Sequence, residues 1–384
     1  MPRRSITSRA RRDHQLSRGD LVIEKSGGSA DQPVGSVALF DLDVPTVCSN
    51  FNARIKVSTS VDSRFACYLM NGLYWSGFTR QFIKQTTGIQ NLDAEALLAE
   101  HCAIPPMGEQ RRIADFLDAE TALVDDLYGH RERQIRLLEE AAVSRVYDAV
   151  RGSAEPGERK DSGIDWLGDV PVDWRIGAVS HYFEVELGKM LNQDRVSGSH
   201  VRPYLRVANV QWDHIDVSEL ATMNFPPGEK ERYSLRPGDL LVNEGGSWPG
   251  RAAIWHGEVQ EMYYQKALHR IRPQGQESTR WLYYCLVAAE RLRVFQVQGN
   301  TSTMTHLTRE QLRPQRFPFP SPDRQRNIVK ELDKSTQQHA KVLQVIETQL
   351  SLLAERRQAL ITAAVTGQFD VTTAGRSTTS RGIA

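Results

Sequence analysis

Two long segments of this chain, residues 106–152 and 321–367, repeat one helical pattern, and this repeat limits the possible folds more than any other feature. One offset of 215 residues serves throughout, because Gln110 matches Gln325 and Gly152 matches Gly367. The further matched pairs are Arg111/Arg326, Ile113/Ile328, Leu117/Leu332, Asp118/Asp333, Glu132/Glu347, Gln134/Gln349, Leu137/Leu352, Leu138/Leu353, Ala149/Ala364 and Val150/Val365. Such a period is far too long for a solenoid. The repeat therefore indicates a duplicated arm.

Each copy predicts one long helix. No proline occurs between Met107 and Pro156 or after Pro322, and proline is tolerated at a helix start but not in its interior. About 40 residues at about 1.5 Å each give a helix roughly 60 Å long. The apolar residues recur at three- and four-residue steps, so we expect the helices to pack on each other as a coiled coil. Identical stripes are self-complementary, which favours antiparallel packing with pseudo-twofold symmetry.

The segments before the two helices are also related. The sequence Gly-Asp-Leu occurs at residues 19–21 and again at residues 238–240, and each is followed by a glycine pair. Short β-branched runs such as residues 34–40 and 252–255 predict strands, and residues 279–296 predict a helix. The predicted fold class is therefore α+β, with two globular domains separated by the two long helices.

The copies differ in front of these segments. Residues 174–225 have no counterpart before Gly19, so we expect a first domain that is truncated at its N-terminus and exposes apolar surface around residues 34–39. Three explanations stay open: a start codon placed too late, a shortened and nonfunctional gene, or a chain that works with a second partner. A misplaced start or a disrupted gene is the favoured one.

Bulk composition excludes several classes of protein. Charged residues make up 25% and hydrophobic residues 40% of the chain, and the formal net charge is +1. The four cysteines are widely spaced without a CxxC pair, which argues against a zinc ribbon or a disulfide framework. No apolar run approaches the roughly 18 residues of a membrane helix. We expect a soluble, cytoplasmic protein.

The chain resembles the specificity (S) subunit of type I restriction-modification enzymes. The residues that carry the resemblance are 105–118 with their echo near Gln325, 162–168 with Pro171 and Trp174, 203–210, 236–240 and 359–369. The resemblance implies two DNA-reading target recognition domains, each contacting one half of a split sequence, and spacer helices that fix the gap between them. It also implies docking of two modification (methyltransferase) subunits, which recruit restriction (motor and nuclease) subunits.

The resemblance implies that catalysis belongs to those partners, which would use S-adenosylmethionine, ATP and Mg²⁺, with no cofactor in this chain. The sequence agrees with the absence of catalytic residues. Gly188-Lys189-Met190 lacks the spacing of a phosphate-binding loop, and no histidine pair has a metal-ligand spacing. We therefore predict no catalytic and no metal-binding residues here.

The repeat and the resemblance together predict six regions. Residues 1–104 form a truncated first recognition domain, 105–152 the first spacer helix and 153–165 a linker. Residues 166–320 form the second recognition domain, 321–367 the second spacer helix, and 368–384 a tail expected to be disordered.

Candidate DNA contacts are polar residues in loops, because bases are read by side chains with paired donors and acceptors and phosphates by basic and amide groups. In the second domain the candidates are Lys189, Asn192, Gln193, Arg206, Asn209, Gln211, Gly245, Gly246, Ser247, Trp248, Asn300, Thr301 and Ser302. In the first domain they are Lys25, Ser26 and Lys84. For each residue a structural role is the competing interpretation.

Two other functions compete with the DNA-reading subunit. One is a nonfunctional remnant or a coiled-coil scaffold without DNA specificity. The other is an autonomous enzyme, which the missing motifs disfavour. The target sequence cannot be read from the residues, because base recognition depends on loop geometry and DNA shape as well as residue type.

Overall fold

A computed structural model of the chain describes residues 14–86, 88–190, 197–245, 249–297 and 306–374. The chain divides into two compact units. Residues 1–134 and 344–384 belong to the first unit, and residues 135–343 belong to the second. The six predicted regions remain a prediction alongside this division.

The helices in the described ranges are α1 (Ser63–Trp75), α2 (Ala94–Leu98), α3 (Met107–Val150), α4 (Val179–Tyr182), α5 (Lys230–Tyr233), α6 (Thr279–Arg291), α7 (Val294–Val297), α8 (Arg309–Leu312), α9 (Pro322–Val365) and α10 (Val371–Ala374). The strands are β1 (Leu21–Glu24), β2 (Ser26–Gly27), β3 (Val37–Leu39), β4 (Asn52–Ile55), β5 (Ile83–Thr86), β6 (Ile89–Leu92), β7 (Arg159–Asp161), β8 (Asp169–Pro171), β9 (Arg175–Ala178), β10 (Phe183–Leu187), β11 (Val201–Leu205), β12 (Val210–Gln211), β13 (His214–Ile215), β14 (Ala221–Asn224), β15 (Leu240–Asn243), β16 (Ala252–Ile254), β17 (Tyr263–Tyr264), β18 (Leu268–Pro273) and β19 (Arg316–Phe319). Both repeat copies thus form a helix of 44 residues, α3 and α9.

The second unit is built around a four-stranded antiparallel sheet in the order β10-β18-β15-β16. Helix α6 supplies much of the core beside this sheet: Trp281 is fully buried and packs edge-on against Trp174, with 5.8 Å between ring centroids. A separate strand pair, β9 with β19, places Phe317 and Phe319 in the same core. A smaller sheet, β14-β11-β17, has its own cluster around Tyr204 and Tyr263.

The first unit has a three-stranded sheet in the order β3-β1-β4 and a second small sheet in the order β2-β6-β5. Leu21 and Ile23 of β1 are buried beneath α1 in one apolar cluster with Val37. The alternation of buried and half-buried residues along β1 is typical of a strand with one face on the core.

Helix α1 is fixed to α3 by a hydrogen-bonded network in the first unit. Asp62 caps α1 by accepting from the backbone N–H groups of Arg64 and Phe65, and its own N–H donates to Gln110 Oε1 at 2.8 Å. The Arg64 guanidinium donates to Asp118 at 2.7 Å, and the hydroxyl of Tyr68 donates to the same carboxylate at 2.8 Å. A charged group and a cap therefore bind one helix to the other.

The second unit repeats this network between α6 and α9. Ser278 caps α6, and its N–H donates to Gln325 Oε1 at 3.0 Å. Arg280 and the hydroxyl of Tyr284 donate to Asp333 at 2.8 and 2.6 Å. The matched glutamines and aspartates of the sequence repeat thus have the same structural role in both units.

Within each unit, the beginning of one long helix lies against the end of the other. In the first unit Ile113 and Leu117 of α3 pack with Ile361 and Ala364 of α9. In the second unit the early part of α9 lies beside the late part of α3, where Arg145 donates to the hydroxyl of Ser335. Each of these local pairings is antiparallel.

The predicted apolar exposure around residues 34–39 is wrong. Val34 is fully buried and Val37 is 6% exposed, because this segment covers α1 and pairs with β1. The predicted helix at residues 279–296 is interrupted, since α6 ends at Arg291 and Arg293 has a positive φ of 57°. No glycine or proline marks that break in the sequence.

Candidate nucleic-acid interface

Half of the predicted contact residues fall in described parts of the structure. Asn192, Gln193, Gly246, Ser247, Trp248, Asn300, Thr301 and Ser302 lie outside the described residues. The described candidates are Lys189, Arg206, Asn209, Gln211 and Gly245 in the second unit and Lys25, Ser26 and Lys84 in the first.

The turn from Arg206 to Gln211 is held by Asn209. The Asn209 side chain is 4% exposed, its Oδ1 accepts from the backbone N–H of Arg206 at 2.9 Å, and its Nδ2 donates to the carbonyl of Asp216 at 2.9 Å. Asn209 is therefore an internal brace, because its donors and acceptor are already used. Arg206 is exposed on the outside of the same turn, where its guanidinium can reach an anion.

Gln211 ends β12, just before the turn to β13, and lies next to an arginine that sequence reasoning missed. The Arg251 guanidinium donates to Gln211 Oε1, and Gln211 Nε2 donates to the carbonyl of Ala208 at 3.0 Å. This arrangement orients the Gln211 amide. Arg251 follows β15 by several residues, so only the pairing of β15 with β16 brings it to this hairpin.

Lys189 has an internal role instead of the predicted surface role. It is 2% exposed, forms an ion pair with Glu229, donates to the carbonyl of Asn224 at 2.6 Å and lies 4.9 Å from the Phe225 ring centroid. A buried charge is tolerated only when it is paired in this way. The close backbone approach at Gly188, just before it, is to the Gln265 peptide, where a Cβ would lie 2.3 Å from the carbonyl oxygen.

Gly245 is buried beneath a histidine. A Cβ at this position would lie 2.6 Å from Nδ1 of His306, so the absence of a side chain makes room for the imidazole. The preceding residue, Glu244, accepts from the N–H of Leu307 through its carbonyl at 2.7 Å, and burial raises the pKa of its carboxyl group. Gly245 thus contributes to loop packing.

In the first unit the small sheet β2-β6-β5 brings the candidates together. Ser26 Oγ donates to Asn91 Oδ1 at 2.8 Å, and Lys84 lies opposite Asn91 on the other neighbouring strand. The Lys84 ammonium is exposed and bonds Asp93 at 2.8 Å, which raises the pKa of the lysine. Lys25 precedes Ser26 and is half-buried. Asn91 carried no sequence signal of its own, because its role depends on strand register.

Two regions of this small sheet match, by the sequence repeat, two of the predicted loops of the second domain. By the repeat, residues 244–248 and 298–302 of the second unit correspond to the region of β2 and to that of β5 in the first. In the first unit β2 and β5 flank β6, so these two regions lie side by side. Polar, exposed residues on adjacent strands form a surface that can contact phosphates and base edges together.

In the parts of the chain that the structure describes, no group of three His, Cys, Asp or Glu residues is placed to hold a metal ion. None of the helices searched in those parts has the length and apolar character needed to span a bilayer.

Residues 171–350 match the family of the type I restriction modification DNA specificity domain. The specificity subunit of the EcoKI type I restriction enzyme from Escherichia coli strain K12 is 25% identical over 228 residues, which are 59% of this chain and 47% of that protein. The match therefore spans about half the length of this curated relative.

Two solved structures share the fold. A chain from a structure of the type I R-M system superimposes with a TM-score of 0.71 at 18% identity, covering 92% of this chain and 83% of the other. The HsdS subunit of Thermoanaerobacter tengcongensis gives a TM-score of 0.52 at 19% identity, covering 92% and 82%. The predicted α+β fold class is thus confirmed.

Proposed function

We propose that this chain, whose residues 171–350 match the type I restriction modification DNA specificity domain, is a specificity subunit that reads a split DNA sequence and docks the methyltransferase subunits of its complex. The whole of α3 and α9 would then act as an antiparallel, pseudo-twofold spacer between two reading domains. Their length would set the gap between the half-sites.

The observation that carries this proposal is the duplicated attachment of the two domains. The contacts of Gln110 and Asp118 on α3 are repeated by Gln325 and Asp333 on α9. Both domains are fixed to a long helix by a buried amide and a charged pair, so each is held in a defined orientation. Two equivalent mounts suit a ligand with two separate half-sites.

The reading surfaces that we propose are polar and lie next to glycine-bearing turns. In the second unit Arg206, Gln211 and Arg251 combine exposed charge with an oriented amide, the donor–acceptor pair that recognises base edges. In the first unit Ser26, Lys84 and Asn91 share one sheet face. Because the net charge is only +1, we propose that the partner subunits supply many of the contacts to the DNA phosphates.

The docking surfaces that we propose are apolar residues left exposed on the long helices. In the first unit Leu127 is 50% and Leu352 57% exposed, and in the second unit their repeat counterparts, Val342 and Leu137, are 42% and 58% exposed. Each unit therefore carries one equivalent apolar pair, which fits two copies of one partner. Exposed apolar residues on a helix are suited to pack against a helix of another protein.

The proposed partners are double-stranded DNA, two modification subunits and the restriction subunits. Methyl transfer with S-adenosylmethionine and ATP-dependent, Mg²⁺-dependent cleavage would take place in those partners. The proposed location is the cytoplasm, where the DNA of a bacterial host is found. The chain itself would bind and position, without catalysing a reaction.

Reconstitution with the modification subunits tests this proposal. The chain and its partners should bind DNA that contains the target sequence with a preference of at least about 10³-fold over unrelated DNA. Arg206→Ala should weaken that binding about tenfold, whereas Arg131→Ala, which changes an arginine on α3, should leave it unchanged. Equal affinity for all DNA would contradict a specificity subunit and favour a scaffold.

Docking has its own test in the same reconstitution. Leu137→Asp together with Leu352→Asp should prevent co-purification of the modification subunits, because each places a carboxylate in a proposed apolar contact. Glu132→Gln on the same helix is the control. Full retention of both partner copies by the double variant would contradict docking at these residues.

A further inference from the structure

Arg280 of the second unit lies between the β12–β13 hairpin and the long helix α9. Both terminal nitrogens of its guanidinium donate to the carboxylate of Asp213 in the hairpin turn, with 2.8 Å between Nη2 and Oδ2. Its Nε donates to Asp333 of α9 at 2.8 Å. The hairpin, residues 210–215, includes Gln211, one of the side chains that we propose as DNA readers. One arginine thus connects this reading hairpin to the long helix.

The turn of the reading hairpin presents its carboxylate in a conformation that suits aspartate. Asp213 has a positive φ of 56°, which aspartate and asparagine adopt more readily than most residues with a side chain. Its N–H donates to the carbonyl of Ala252 in β16 at 3.1 Å. The neighbouring Trp212 packs edge-on against Tyr283 of α6, with 6.2 Å between ring centroids. A bidentate ion pair and an aromatic contact therefore fix the tip of the hairpin on α6.

The equivalent arginine of the first unit has a different second partner. Arg64 donates to Asp118 at 2.7 Å and to Asp115 at 2.8 Å, so both of these carboxylates belong to α3. At the position of Asp115 the second repeat copy has Lys330, which offers no acceptor. The carboxylate that α9 lacks at this position is supplied by the reading hairpin. The Arg280 side chain is also less exposed than that of Arg64, at 20% against 37%, so solvent screens its ion pairs less.

We propose that Arg280 is a positioning residue for DNA reading, because it binds Asp333 and Asp213 together and so fixes the orientation of Gln211 relative to α9. This inference rests on the proposed function, since the orientation of Gln211 matters only if that side chain reads a base. Gln211 lies two residues before Asp213 and pairs with His214 across the hairpin. Loss of the ion pair would therefore keep Gln211 on its hairpin but let the hairpin move relative to α9.

The experiment compares Arg280→Gln and Asp213→Asn in the complex reconstituted with the modification subunits. Asparagine keeps the size of the side chain and tolerates positive φ, but it removes the charge. Competition binding first identifies the base pairs at which Gln211→Ala relaxes the preference for the target. We expect both variants to relax the preference about fivefold at those same base pairs, and the double variant to add little, because both changes remove one ion pair. Arg64→Gln, the matched change in the first unit, should leave the preference at those base pairs unchanged.

Hydrogen exchange of the chain alone tests the same connection without DNA. The amide of Asp213, bonded to the Ala252 carbonyl, reports whether the hairpin stays on the sheet. We expect this amide to exchange at least about tenfold faster in Arg280→Gln, because local opening of the hairpin becomes easier. The amide of Trp255, which donates to the Asp239 carbonyl at 2.8 Å, should keep its wild-type rate and shows that the fold is retained.

Three results would overturn this inference while the proposed function stands. They are a wild-type preference that survives Arg280→Gln, a relaxed preference only at base pairs other than those that depend on Gln211, and an unchanged exchange rate at Asp213. Equal affinity of the wild-type complex for every DNA would instead reject the proposed function itself, and this inference with it.

Discussion

Asp118 in the first unit and Asp333 in the second bind the same pair of side chains, one arginine and one tyrosine, on the helix beside them. The sheets that lie behind those helices do not match. Ile271 in β18 is fully buried between two strands, whereas its counterpart Ile55 in β4 is half-buried at an edge.

The comparison shows that the attachment to the long helix is the same in both units, whereas the described sheets behind it differ. In both units the helix cap, the arginine and the tyrosine bind the long helix, and these residues lie after the stretch that distinguishes the two copies. In the second unit the outer edge of β18 is covered by β10, which is distant in sequence from that network. Matched substitutions at equivalent positions of the two units test where the units behave alike and where they differ.

The largest difference is expected at the glycines that follow the long helices. Gly152 and Gly367 both have positive φ, at 66° and 74°, but a Cβ at Gly152 would lie 2.9 Å from Trp174 and Pro171, while nothing lies within 4 Å at Gly367. Gly152→Ala should cost about 3 kcal/mol through overpacking and backbone strain, and Gly367→Ala about 1 kcal/mol through strain alone.

Hydrogen exchange of each unit measures the two costs separately, which matters because two units need not unfold together. Equal losses for the two variants would mean that the contacts of Trp174 do not set the packing at Gly152.

The next difference concerns the buried amides. Gln325 is fully buried and bonds Ser278, Pro320 and Glu277, and its replacement by leucine removes one partner from each of these groups, although Glu277 keeps its ion pair with Arg175. We expect Gln325→Leu to destabilise the second unit by about 2–3 kcal/mol. Gln110→Leu should cost the first unit about 1–2 kcal/mol, because no carboxylate loses a partner there.

Hydrogen exchange of backbone amides, followed separately in each unit, checks this order. The two amides are expected to have the same role, except that only Gln325 also bonds a carboxylate. A larger loss of stability for Gln110→Leu than for Gln325→Leu would contradict this expectation.

Acid should affect the two units differently. His269 in β18 is buried beside the Leu307 carbonyl, and burial lowers the pKa of its imidazole to about 4, whereas Ala53 stands at its position in the first unit. In the unfolded chain the imidazole has its ordinary pKa of about 6.5, so between pH 6.5 and pH 4 it binds a proton that the folded unit does not bind. Stability that is complete above pH 6.5 is therefore lost as the pH falls toward 4, by about 1–2 kcal/mol at pH 5.

Exchange of β18 amides between pH 7 and pH 5 measures this loss, with pH-corrected intrinsic rates. His269→Ala should remove the pH dependence while lowering stability at both values. Persistence of the same slope in that variant would assign it to another group.

The smallest difference is expected in DNA binding. Arg251→Ala releases the Gln211 amide in the second unit, and we expect a loss of about 1 kcal/mol in target affinity with relaxed preference at one half-site. Asn91→Ala in the first unit should relax the other half-site by a similar amount. Competition binding with substituted targets distinguishes the half-sites, and loss of preference at the same half-site for both variants would contradict separate readers.

Features that depend on residues close together in sequence could be predicted from the sequence. The proline-free repeats gave the two 44-residue helices to within two residues at each end, and the runs at residues 34–40 and 252–255 contain strands β3 and β16. The break after Arg291 was missed, because a non-glycine residue adopts positive φ there without any turn signal.

Contacts across the chain were the part that could not be predicted. Lys189 looked like a surface lysine in a glycine-bearing loop, but its bridge to Gln265 brings it against Glu229 in the interior. Arg251 and Asn91 went unnoticed for the converse reason, since only strand register places them beside Gln211 and Ser26. The DNA-contact residues remain a prediction.

Long-read mapping of adenine methylation in host cells tests the central claim most directly. We expect a two-part adenine-methylated motif that disappears when this gene is deleted and returns when the gene is restored, with Arg251→Ala relaxing one half of the motif. An unchanged methylation pattern after deletion would contradict the assignment of DNA specificity to this chain.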